Sequence, residues 1–193
     1  MQPRAARWTA RREVVPYRDD DAVFGAELAA AVVGARRRAL RDGDRQVDTA
    51  HLLHSLLECD PEVRAAVGGP PRLARLLGYL VQRSIGYGLR WQASVEDSGA
   101  IAVGPALAIR TGGGPDTGRW SPAAAAALSD ACGRARRRGG PRATGTDLLA
   151  ALLADPQSRA VEVLGRAGVR VPDLCARVEA MAREGTDDGE AAC

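Results

Sequence analysis

The sequence predicts an all-α protein made of two copies of one four-helix cassette. Three observations lead there. Aromatic residues make up only 4% of the 193 residues, and Ala, Leu and Val supply most of the apolar content. Such side chains lose little entropy in a helix and suit close helix packing. Apolar residues recur at helical spacing on both sides of a Gly-rich middle. Finally, VDTAHLLHSLLECDP at 47–61 is nearly restated by ATGTDLLAALLADP at 143–156. A supersecondary unit repeated in this way buries the apolar face of one copy against the other.

The elements follow in order. Residues 1–18 are Arg-rich, hold Trp8 and Tyr17, and show no period, so they read as an arm. The first repeat spans 19–85. Asp19, Asp20 and Asp21 place acid at a helix start, where it complements the helix dipole. Phe24, Leu28, Ala31, Val32, Ala35, Ala39 and Leu40 follow at helical spacing. Arg36, Arg37, Arg38 and Arg41, then Gly43, mark the stop, since cations and glycine suit a helix C-terminus. Asp48 or Thr49 caps a second helix that buries Leu52, Leu53, Leu56 and Leu57. Asp60-Pro61 ends that helix and opens a short third one, because proline is tolerated at a first helical position. Pro70-Pro71 opens a fourth, with Leu73, Leu76, Leu77, Leu80, Val81 and Ile85 inward.

Residues 86–119 are punctuated by glycines and read as a linker. Within them LRWQASVED and AIAVGPALAIRT read as the strands of a short β-hairpin. The second repeat spans 120–184. Ser121 is its N-cap and Pro122 its first helical residue. At a constant offset of 96 residues, Phe24 falls on Trp120, Ala39 on Ala135, Gly43 on Gly139, and Leu52, Leu53, Leu56 and Leu57 on Leu148, Leu149, Leu152 and Leu153. About 12 of 35 positions agree; an Ala-rich composition inflates that figure, so the shared order of elements carries the inference. A short helix from Arg159 to Ala167 and another after Val171-Pro172-Asp173 complete the copy. Residues 185–193 are a small, acidic tail.

Composition excludes several functions. The chain has no lysine, so it carries no P-loop, whose Lys binds nucleotide phosphates. No GxSxG or Cys–His motif is present, and both histidines lie in a leucine-rich helix, so no catalytic residue is assigned. His51, His54 and Glu58 share a helix face, but a metal site needs a further ligand and Cys59 points elsewhere. No metal or other cofactor is therefore expected. Cys59, Cys132, Cys175 and Cys193 lack CxxC spacing and read as free thiols. No apolar stretch spans a membrane and the N-terminus has no secretory h-region, which points to the cytoplasm. The net charge is only +3, with acids spread along the chain, which argues against nucleic acid. The alternative is a nucleic-acid-associated regulator that uses the Arg-rich arm and the Arg runs.

The duplicated pattern resembles the Clp N-terminal repeat domain. The first copy reads Phe24…Ala39-Leu40-Arg41-Asp42-Gly43…Val47-Asp48-Thr49-Ala50-His51-Leu52-Leu53; the second reads Trp120-Ser121-Pro122…Gly139…Thr144-Gly145-Thr146-Asp147-Leu148-Leu149, with Val163-Leu164-Gly165 and Gly168-Val169 later. The match covers most of 22–182. The resemblance implies a non-catalytic protein- or peptide-binding module standing alone, without the usual ATPase modules. It would act as adaptor, competitor or decoy in Clp-dependent proteolysis. Its implied partners are a Clp-type unfoldase, its clients or adaptors, or a small cyclic peptide. The site residues implied are Phe24, Thr49, His51, Trp120, Thr146 and Asp147. In some members a Glu after the capping Thr clamps the guanidinium of phosphoarginine, as carboxylates do through paired bonds. Ala50 holds that place in the first copy and has no carboxylate. In the second copy the place falls on Thr146 or Asp147, depending on a one-residue choice of register.

Overall fold

The computed structural model describes residues 23–84 and 119–190. The arm at 1–18, the acids at 19–21, the hairpin and Ile85 lie outside them.

The chain forms eight helices among the described residues, four in each repeat. The first repeat holds α1 (Ala26–Asp42), α2 (Thr49–Cys59), α3 (Pro61–Val67) and α4 (Pro70–Ser84). The second holds α5 (Pro122–Arg137), α6 (Gly145–Ala154), α7 (Arg159–Arg166) and α8 (Val171–Glu190). Two short strands, β1 (Gln46–Val47) and β2 (Arg119–Trp120), pair in parallel. The backbone of α8 continues to Glu190, through the first six residues of the segment read as a tail.

Local chemistry repeats with the offset. Gly43 and Gly139 both end their helices in the left-handed region, at φ 75° and 74°. The following amides of Asp44 and Gly140 reach back to the carbonyls of Ala39 and Ala135 at 3.0 and 2.9 Å. Glycine meets that conformation without the steric cost of a Cβ. Asp48 caps α2, accepting from the His51 amide at 2.9 Å, while the Asp48 amide donates to His51 Nδ1 at 3.2 Å. Thr144 caps α6 in the same reciprocal way with Asp147. These are two capping boxes at equivalent positions, each satisfying donors the helix leaves open. Asp60 caps α3 and Ser121 caps α5, each with proline at the first helical position.

Two expectations are corrected. The first helix starts at Ala26, with Gly25 as N-cap, and Phe24 stands outside it. Backbone pairing with the other repeat holds Val23 to Gly25 extended: Ala143 donates to the Val23 carbonyl and Gly25 to the Ala143 carbonyl, at 2.9 and 2.8 Å. Leu40 and Val81, read as inward, are 64% and 48% exposed. Adjacent helical residues point about 100° apart, so with Ala39 and Leu80 buried their neighbours turn outward.

The repeats are interlocked rather than tethered. Trp120 pairs with Val47, and Phe24 forms a bridge with Ala143. Each is the other's image under the offset of 96. The segment leading into each long helix thus pairs with the segment leading into the partner repeat's leucine helix. Leu52, Leu53, Leu56, Leu148, Leu149 and Leu152 are fully buried between the repeats' helices in one continuous core.

Candidate functional site

Three places hold sequence-predicted site residues, and they differ in the hydrogen-bonding capacity left unused.

At the first, the N-termini of α2 and α7 meet. Asp48 Oδ2 accepts from Arg159 Nη1 at 2.6 Å, and Thr49 Oγ1 accepts from the Ala160 amide at 3.0 Å. Asp48, Thr49 and His51 are all buried. His51 Nε2 lies 3.1 Å from the Asp44 carboxylate. Thr49 therefore serves the seam between repeats, while His51 completes the cap of α2 and faces Asp44 within the first repeat. Sequence reasoning named them but missed Arg159, which lies 111 residues from its partner.

At the second place, the C-terminus of α5 meets the N-terminus of α6. Asp147 is buried, and Arg138 grips it with both terminal nitrogens, one of them at 2.6 Å from Oδ2. The Thr144 amide and hydroxyl donate to the same oxygen, each at 2.9 Å. Arg138 thus already fills the carboxylate clamp. A guanidinium ligand would have to displace it. Thr146 is half-buried, its hydroxyl 2.9 Å from that of Thr144.

The third place keeps unused hydrogen-bonding capacity. The Arg36 guanidinium carbon lies 5.1 Å from the centre of the Trp120 ring, a cation–π contact. Trp120 is 7% exposed, yet among the described residues its Nε1–H has no partner, and neither has Arg36 Nε. A buried donor without an acceptor costs about 1–3 kcal/mol, so two on adjoining side chains need an explanation. The repeat supplies an internal control. At the offset of 96, Trp120 falls on Phe24 and Arg36 on Cys132, both buried. Burial raises the Cys132 thiol above its ordinary pKa and keeps it neutral. One copy of the position is closed by apolar side chains; the other holds a cation and two buried donors without an acceptor among the described residues. Sequence reasoning named Phe24 and Trp120 but read Arg36 only as a helix-terminal cation. Aligning it with Cys132 was the available signal.

The polar residues of α2 break the symmetry further. His54 is buried where the second copy has Ala150. Burial, helped by the charge of Arg38, pushes its pKa down to about 4, so it is neutral at pH 7. Arg38 bridges to Glu58 at 2.6 Å, while its counterpart Arg134 reaches Glu179 of α8 instead. Among the described residues no group of three or more His, Cys, Asp and Glu is placed to hold a metal. Cys59, Cys132 and Cys175 are free thiols. No helix among them is long and apolar enough to cross a membrane.

No family model matches the sequence, and no curated protein matches it. Solved structures do match. The Hsp104 N-terminal domain from Candida albicans is 15% identical with a TM-score of 0.57, covering 81% of this chain and 89% of that one. The N-terminal domain of the caseinolytic protease associated chaperone ClpD from Arabidopsis thaliana is 18% identical with a TM-score of 0.55, covering 83% and 94%. A structure from a study of a malarial protein secretion system is 14% identical with a TM-score of 0.58, covering 85% and 95%. With the doubled four-helix cassette and its cross-paired edges, this likeness gives the chain the fold of a Clp-type chaperone N-terminal domain.

Proposed function

We propose that this chain is a non-catalytic protein- or peptide-binding module that works as an adaptor, competitor or decoy in Clp-dependent proteolysis in the cytoplasm. Its partners are a Clp-type unfoldase, the unfoldase's clients or adaptors, or a small cyclic peptide. The fold shared with chaperone N-terminal domains supports the class of function. The observation that carries it is the Arg36–Trp120 pair, whose two buried donors have no acceptor among the described residues and would be satisfied by a peptide carbonyl or carboxylate. A hydrogen bond to a charged group contributes about 1.5–3 kcal/mol, enough to anchor a short segment whose other contacts are apolar.

The test is binding of the full chain to an array of immobilised peptides, read against Arg36→Gln. Neutralising Arg36 is expected to weaken the bound peptides at least about tenfold, the equivalent of ~1.4 kcal/mol. Cys132→Ala, at the equivalent position of the other repeat, should leave them unchanged. Binding indifferent to Arg36→Gln would remove this assignment.

A further inference from the structure

We infer that α1 is a self-association surface through which two copies of this chain pair antiparallel. Ala26, Ala30, Val33, Arg37 and Leu40 recur at alternating steps of four and three, which places them on one stripe. All five are exposed, Val33 by 42% and Leu40 by 64%. The opposite face carries Leu28, Ala31, Val32, Ala35 and Ala39 into the core. Four apolar side chains on one outward stripe of a 17-residue helix have no cover among the described residues.

A second copy fits that stripe in shape and in charge. A twofold axis passing near Gly34 seats Leu40 of each copy between Ala26 and Ala30 of the other, a large side chain over two small ones. Val33 then meets Val33, and the Arg37 stem lies across Ala30 with its charge free to reach water. Glu27 and Arg41 are two heptads apart on the same flank. The antiparallel pairing brings each Glu27 opposite the Arg41 of the other copy, twice by symmetry. A parallel pairing would set like charges together. Neither Glu27 nor Arg37 has an ion-pair partner among the described residues, and the Arg41 contact within the chain is an exposed one to adjacent Asp42 at 3.3 Å. The same patch therefore complements itself, as a twofold interface requires. A contact confined to one helix face belongs to the weak end of specific interfaces, below about 1,200 Å2, so the dimer depends on protein concentration.

Sedimentation velocity of the full chain over a concentration series tests this. The wild type should move from monomer to dimer as concentration rises. Leu40→Glu should raise the dimer dissociation constant at least about tenfold, and so should Val33→Glu; both sites are exposed, and circular dichroism checks that each variant folds. Glu27→Arg should weaken the dimer, and the exchange Glu27→Arg with Arg41→Glu should restore it. A wild type that stays monomeric at all concentrations overturns the proposal, including the case in which another segment of the same chain covers the stripe. A dimer that tolerates Leu40→Glu and Val33→Glu, or a charge exchange that fails to restore pairing, also overturns it.

Discussion

Gly145→Ala should lower stability by about 2–4 kcal/mol in urea unfolding, although Ala is the better helix former. A Cβ built at Gly145 would lie 2.0 Å from Asp60 Oδ2, 2.9 Å from its carboxyl carbon and 3.2 Å from a Leu56 methyl. The backbone at Gly145 is not left-handed, so the demand there is for room. Asp60 cannot yield cheaply. Its Oδ1 accepts from the amides of Glu62 and Val63 at 2.8 and 3.1 Å and caps α3. Losing a cap costs about 1 kcal/mol, and overpacking a filled core adds about 1–3 kcal/mol. Gly78→Ala in α4, where a Cβ meets nothing within 4 Å, is the control. It should raise stability by about 0.5–1 kcal/mol. Opposite signs for one chemical change would show that the α3–α6 seam, not helix propensity, sets the requirement.

Arg159→Met should cost about 3 kcal/mol. It leaves the Asp48 carboxylate buried without its guanidinium, and breaking a buried pair from one side costs about 3–5 kcal/mol. The lower end applies because the His51 amide still donates to Asp48 at 2.9 Å. Asp48→Asn in the same background should recover part of the loss. Asn still caps a helix well and brings no unpaired charge into the seam. Urea unfolding of the wild type, the two single variants and the double variant measures this coupling. Strict additivity would mean that the pair contributes nothing to holding α2 against α7.

Much of the architecture was legible in the sequence because its signals are local. Prolines at Pro61, Pro70 and Pro122, glycines at Gly43 and Gly139, and the doubled leucine rows fixed where helices start, stop and face inward. The first helix start was misplaced because the acids Asp19 to Asp21 suit the positive end of a helix dipole. Only the backbone pairing of Val23 and Gly25 with Ala143, more than a hundred residues on, explains why the helix waits until Ala26. The inter-repeat contacts were hidden for the same reason: no spacing rule links Asp48 to Arg159 or Gly145 to Asp60. At the candidate site, alignment of the copies singled out Trp120, yet its significance came from Arg36, whose reading as a helix-end cation was chemically sufficient by itself. His51 and Asp147 were noticed as polar residues in a recognisable place. Their geometry shows capping and ion pairing that the residue types alone do not distinguish from ligand binding.

The proposed recognition surface requires the two cassettes to behave as one body. Native-state hydrogen exchange on the full chain tests that most directly. The amides of Gly25, Ser121, Ala143 and Ala160 donate to the opposite repeat. They should exchange as slowly as the core amides of Leu52 and Leu148, through a single global opening. Fast exchange at those four sites, with the helix cores still protected, would show two separately stable repeats and contradict the interlocked fold.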